Sequence, residues 1–205
     1  MNIFLDIESV PGPNYPKLED VKVPENYKKP ETIAAYQQEK LEEAYQKQAL
    51  DSLKGEICCI GYALDNDPAA CFNGDEPTIL ATLNELLGDH KFHDPIFIGW
   101  NVRNFDLPWL WRKSLKYGFK EIKHFFRDRQ RNSPFIVDLM EVFATEWRDF
   151  VSLNNAAKFL GLPVDDTFTG KDVYEAWKKK YFEAISGHCL QDINLTREIY
   201  RIIFE

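Results

Sequence analysis

Residues 1–10 read MNIFLDIESV. The run is apolar almost throughout, which marks a buried β-strand, yet it carries Asp6 and Glu8. In a strand, residues two apart share a face and lie about 6–7 Å from one another. Asp6 and Glu8 therefore point one way, and Ile3, Leu5 and Ile7 the other. Burying an unpaired carboxylate is costly, so the pair needs a partner. Water or a basic group at a sheet edge would serve. A divalent cation would serve more specifically, because Mg²⁺ prefers carboxylate oxygens and keeps waters that substrate phosphates can replace.

Downstream of this strand, residues 11–53 read as an insertion before the next one. Residues 10–29 are rich in Pro, Lys and Glu and form an exposed loop, and 30–53 form a polar surface helix with Pro30 in its opening turn. GEICCIGYAL (55–64) and AACFNG (69–74) are two more strands, split by the turn-like DNDP (65–68). PTILATLNELLGDH (77–90) is an amphipathic helix ending near Gly88, and PIFIGWN (95–101) is a strand. NFDLPWLWRKSLKYG (104–118) is a helix with Asn104 as its N-cap and Gly118 as its stop. KEIKHFFRDRQRN (120–132) is a basic connection, and PFIVDLMEVF (134–143) contains the last strand. Three helical segments follow, at 152–162, 170–180 and 186–205. Three successive strands, then strands alternating with helices, predict an α/β fold: one mixed five-stranded sheet covered by helices.

Two further stretches carry acids that need explaining. In GWNVRNFDLPWL (99–110), Asp106 falls in the first turn of a helix that directly follows a strand. An acid there suits the helix dipole, and it equally suits a site at the mouth of an α/β sheet. In HCLQDINLTREIY (188–200), His188 and Asp192 are four apart and share a helix face. Helical periods from Asp192 meet Leu195, Ile199 and Ile202, so Asp192 is expected on the core-facing side, where it needs a partner or a metal. A self-contained His–Asp pair is the alternative. Taken together, four acids on three elements would be satisfied by two divalent ions about 3.5–4 Å apart, an arrangement that also runs phosphodiester hydrolysis. One ion would acidify an attacking water and the other would stabilise the leaving 3′-oxygen. His188 is placed to take the water's proton, histidine being the side chain that titrates near neutral pH.

These stretches resemble the three motifs of the DEDD, or DnaQ-like, 3′–5′ exonucleases: DIE, NxxxFD, and a His or Tyr a few residues before an Asp. FLDIESVP, GEICCIGYAL, FIGWNVRNFDLPWLWRKS, VDLME, SLNNAAKFLGLP and GKDVYEAW are similar, more narrowly, to exonucleases related to the proofreading domain of family B DNA polymerases. The resemblance implies a ribonuclease-H-like fold, with three antiparallel strands followed by two parallel ones, and one exonuclease domain over 1–205. It implies two Mg²⁺ or Mn²⁺ ions held by Asp6, Glu8, Asp106 and Asp192, and general-base action by His188. The polymerase-related branch usually has a tyrosine at the three-residue spacing found here, so His188 stands where Tyr is expected, and Tyr181 is too far upstream to replace it. The implied substrate is a 3′ terminus of single-stranded DNA or a frayed duplex. Ile7, Trp100, Asn101 and Phe105 are the candidates for holding terminal nucleotides; plain core packing is the alternative for Trp100 and Phe105. RNA is the alternative substrate, and a binding module of a replication or repair assembly is the alternative function.

Composition bounds the rest. The 205 residues suffice for one domain. Lys and Arg total 25 against 33 Asp and Glu, a net charge of −8, which argues against a general nucleic-acid coat protein but not against an enzyme that touches a short piece of polymer through bound cations. No stretch reaches the length of a membrane span and the first ten residues lack the regions of a signal peptide, so an intracellular, cytoplasmic protein is expected. Cys58, Cys59, Cys71 and Cys189 lack metal-ligand spacing and read as free thiols. Lys123, Arg127, Arg129 and Arg131 read as a solvated loop, with phosphate gripping as the alternative, and the Trp-Lys-Lys-Lys run at 177–180 is read in the same way. His90 and His93 read as surface residues. Trp109 and Trp111, two apart on a helix, cannot both face the core.

Overall fold

β1 (Asn2–Val10) is the centre of the molecule in the computed structural model, which describes residues 1–89, 94–127, 133–146 and 150–205. His90, His93, Arg129 and Arg131 lie outside the described residues. β1 pairs antiparallel with β2 (Glu56–Leu64), and β2 pairs antiparallel with β3 (Ala70–Asn73). On its other side β1 pairs parallel with β4 (Ile96–Gly99), which pairs parallel with β5 (Ile136–Asp138). The order β3-β2-β1-β4-β5 is the mixed sheet that the sequence pattern predicts.

The alternation along β1 sorts the helices onto two faces. Ile3, Leu5 and Ile7 join the core formed with α2 (Glu76–Leu87), α3 (Asp106–Tyr117) and α4 (Lys120–Phe125). Phe4 points the other way, into a core with α5 (Leu139–Phe143), α6 (Leu153–Phe159) and α8 (Phe182–Phe204). α7 (Val173–Lys178) covers the far end of β1 on that second face. Asp6 and Glu8 share this face, under α8. α1 (Pro30–Gln46), between β1 and β2, buries none of its residues, and Pro30 opens it. No helix among the described residues is long and apolar enough to cross a membrane.

Three local readings are corrected, and the last strand lies within 134–143 as expected. The basic connection begins as helix α4, because Ile122 and Phe126, four apart, are both buried completely. The last strand is three residues long and passes straight into α5, because Asp138 ends it by accepting the N–H of Met140 as that helix's N-cap. Asn104 does not cap α3; its amide donates to Asn101 Oδ1, and Phe105 occupies the cap position. Ile202 is 52% exposed, and Ile203 packs on the core in its place, since a helix as long as α8 drifts off an i+3, i+7 row. Trp109 is buried and Trp111 lies at the core's margin.

Candidate active site

The site begins with a missing side chain. Asp6 lies opposite Gly61 on β2, and a Cβ at Gly61 would sit 2.6 Å from Cys189 Sγ and 3.1 Å from Ile193 Cγ1. Glycine there lets α8 rest directly on the sheet, as an isolated glycine inside a strand often does. Cys189 then donates its thiol hydrogen to Asp6 Oδ2 at 3.4 Å. One residue earlier on α8, His188 Nε2 lies 3.6 Å from Glu8 Oε1, and its Nδ1 lies 3.9 Å from Asp192 Oδ1. Both distances exceed a hydrogen bond. His188 Nδ1 and Asp192 Oδ1 are buried without a hydrogen-bond partner among the described residues. The imidazole stands beside the Phe168 ring, 5.6 Å between centroids. The register shift between Glu8 and Ser9 leaves Cys58 as an extra residue on β2, a bulge opposite Glu8 of a kind common beside functional groups.

Asp106 reaches the same place from beyond the carboxyl end of β4, the parallel neighbour of β1. It is the first residue of α3, and its Oδ1 accepts the backbone N–H of Ile7 at 2.9 Å, between Asp6 and Glu8 in the chain. The loop that delivers it is pinned by Asp138, whose two oxygens accept the N–H groups of Asn101 and Arg103, each at 3.0 Å. Asn101 takes the left-handed conformation, φ 58°. Gly99 is required because a Cβ there would meet Val102 Cβ at 2.6 Å and the Leu5 carbonyl oxygen at 2.8 Å.

Among the four candidates for substrate contact, Ile7 buries its side chain in the core, so that only its backbone faces the acids. Phe105 is half-buried against Trp109, with centroids 5.8 Å apart. Trp100 turns its ring towards Phe143 and donates its indole N–H to the Val151 carbonyl. Asn101 is half-buried and engaged with Asn104. The exposed Tyr181 stands at the start of α8, about two turns before His188.

Burial pushes all four acids towards their protonated forms. Burial first, then the charges of Glu8, Asp106 and Asp192, push Asp6 well above the usual carboxylate range. Burial and Asp192 do the same to Glu8. Burial lifts Asp106 to about 8 against the hydrogen bond from Ile7 N–H. Burial raises Asp192, and His188 opposes the rise. A carboxylate set this poorly matched by cations fits a hard divalent ion, which favours oxygen ligands. Ligand atoms of Asp6, Glu8 and Cys189 lie within 4.8 Å of one another. Sulfur is a poor ligand for a hard ion, so within this group the two carboxylates are the suitable donors. Asp106 and Asp192 stand near enough to repel Asp6 but outside that tight group. Cys189, Gly61, Asp138 and Phe168 also build the site and were not singled out from the sequence. The glycine inside GEICCIGYAL was the available signal for close helix approach, and an acid between a strand and a helix was the signal for Asp138.

A search of curated proteins finds no matching sequence. Among solved structures, the chain is similar to the family B DNA polymerase of the hyperthermophilic archaeon Pyrobaculum calidifontis, with a TM-score of 0.62 and 15% identity. That likeness covers 98% of this chain and 24% of the polymerase, so this chain spans about a quarter of its structural neighbour. A family profile described as a predicted 3′–5′ exonuclease related to the exonuclease domain of PolB matches residues 71–201, a span that begins after β1 and holds Asp106, His188 and Asp192. With most of its length matched, and the sheet order of that fold around its acids, the chain belongs to the predicted 3′–5′ exonucleases related to the exonuclease domain of PolB.

Proposed function

We propose that residues 1–205 form one exonuclease domain that removes nucleoside 5′-monophosphates from the 3′ end of single-stranded DNA or a frayed duplex. The observation that carries this reading is the buried cluster of mutually repelling carboxyl groups with His188 set between Glu8 and Asp192. Asp6, Glu8, Asp106 and Asp192 would hold two Mg²⁺ or Mn²⁺ ions. Such ions supply charge neutralisation, a more acidic attacking water and a stabilised leaving oxygen.

The chain's own residues supply the rest. His188 takes the water's proton, and Glu8 beside Nε2 and Asp192 beside Nδ1 steady the resulting imidazolium. The Ile7 N–H fixes Asp106 in place. Asn101 and Phe105, just before Asp106, border the terminal nucleotide together with the Ile7 backbone, while Trp100 holds their loop against Phe143 and Val151. DNA is favoured over RNA because the structural neighbour is a DNA polymerase. A replication or repair assembly is the natural partner for such a domain.

The test is a 5′-labelled oligonucleotide incubated with Mg²⁺ or Mn²⁺. It should shorten one nucleotide at a time from the 3′ end, and Asp106→Ala should abolish the ladder. A ladder that survives Asp106→Ala comes from another nuclease and sinks the reading, as does the absence of any ladder.

A further inference from the structure

An open cleft of about 360 Å³ lies at the far end of β1, next to Pro11 and outside the acidic cluster. Its walls are Tyr45, Tyr174, Trp177 and Phe182, with Lys178 and Lys180 at the rim. Tyr45 comes from α1, so the segment between β1 and β2 builds one side. Its hydroxyl donates to the Gly12 carbonyl at 3.0 Å, and its ring meets Tyr174 edge-on, 5.9 Å between centroids. Trp177 stands edge-on to Phe182 at 5.2 Å. All four rings are half-buried, and Tyr45 is braced from behind by Tyr15, 4.6 Å between centroids.

The lysines differ in their engagement. Lys178 lies over the Tyr174 ring and pairs with Glu175. Lys180 is exposed and has no ion-pair partner among the described residues. Its left-handed backbone, φ 60°, is the stop that ends α7, with the Tyr181 N–H bonded to the Ala176 carbonyl, and it turns the chain towards α8. In a chain of net charge −8, the run Lys178, Lys179, Lys180 is a local reversal of sign.

Aromatic faces beside ammonium groups match one ligand chemistry well: a planar base joined to a phosphate. The elements that line the cleft also carry the acids. Pro11 follows Glu8 by three positions, and Phe182 opens α8, about 9 Å of helix rise before His188. We propose that this cleft is a second nucleotide-binding station, where a base of the single strand stacks among Tyr45, Tyr174 and Trp177 and its phosphate rests on Lys180. It rests on the exonuclease reading and adds to it: the strand is gripped upstream of its 3′ end, and α1 takes part in the grip.

The test separates the two sites by substrate length. Trp177→Leu keeps apolar bulk but removes the stacking face; Lys180→Asn removes the charge and tolerates the left-handed backbone. Binding of fluorescent oligothymidylates, from dimer to hexamer, is read by anisotropy in the cold with Ca²⁺ replacing Mg²⁺. Trp177→Leu should weaken binding of the longer oligomers by roughly five-fold or more. Lys180→Asn should reduce the slope of log K against log salt by about 0.7, one phosphate contact on a single strand. Hydrolysis of the p-nitrophenyl ester of thymidine 5′-phosphate, which offers one nucleotide only, should stay at the parent's level in both variants. Parent-like affinity and salt slope in both variants overturn the proposal and leave the cleft to a protein partner. A parent protein that hydrolyses neither the ester nor an oligomer overturns the exonuclease reading instead, whatever the binding curves show.

Discussion

A carboxyl group buried among other carboxyl groups keeps its proton. Asp106 does so up to about 8, and Asp6, Glu8 and Asp192 shift in the same direction, burial being the first cause for each. In the unfolded chain all four ionise near pH 4, at about 3.9 for Asp and 4.3 for Glu. Above that range, and until the folded groups ionise, the metal-free fold binds more protons than the unfolded chain, so its stability falls as pH rises. Melting curves in chelator should therefore show a Tm that declines from mildly acid pH towards 8 and beyond. A divalent cation takes the protons' place, so the Tm gain on adding Mg²⁺ should grow with pH, and calorimetry in two buffers should register proton release. A Tm independent of pH and a binding heat independent of buffer would contradict the clustering. His188→Gln tests a different property. It should lower kcat by about 10²–10⁴ while leaving oligonucleotide affinity unchanged; a fall in affinity with kcat intact would make His188 a binding group. The acids were legible because each sits where its neighbours are apolar. The Cys189–Asp6 contact was not, because it depends on Gly61, which is remote in the sequence from both.

Among the elements, α8 matters most, because it carries His188, Cys189 and Asp192 together and packs on β1, β2 and β3. Its height above the sheet is set at Gly61. Gly61→Ala should lift or bend it, at a cost of about 1–3 kcal/mol, as overpacking does, and should slow the reaction more than it weakens substrate binding. Cys189→Ala alone vacates the space. The double substitution should recover much of the loss, and urea titrations of all four proteins give the coupling. Simple additivity would mean that the clash is relieved elsewhere. Elements with strong periodicity, such as α2 and α8, could be read from the chain, with α8 starting at Phe182 rather than Ser186. α4 and α5 could not. α4 hides its buried Ile122 and Phe126 among lysines and arginines, and α5 begins at the residue after a three-residue strand, where strand and helix signals overlap.

At the scale of the whole molecule, a single mixed sheet followed from the succession of strands, but the tie between the returning end of the long β1–β2 segment and the helices did not. That tie is Glu76 on α2. Its carboxylate accepts the Ile57 N–H and the Tyr117 hydroxyl, both at 2.8 Å, and pairs with Lys113 at 3.0 Å. Lys113 in turn donates to the Gly55 carbonyl. Read along the chain, Lys113 is one more helix charge; in the fold it is 3% exposed, as is Glu76. One buried pair thus joins α2, α3 and the start of β2, where the segment containing α1 returns to the sheet. Glu76→Ala leaves a buried ammonium without its counter-charge and should cost about 3–5 kcal/mol. Replacing both residues, Glu76→Leu with Lys113→Met, removes the orphaned charge and should restore most of that stability. Urea unfolding followed by fluorescence and by circular dichroism should show one shared transition for parent and variants, shifted to lower urea in Glu76→Ala with the same slope. Two separated transitions would mean that the β1–β2 segment melts as its own unit. The aromatic cleft would then lose its Tyr45 wall before the acids lose their geometry.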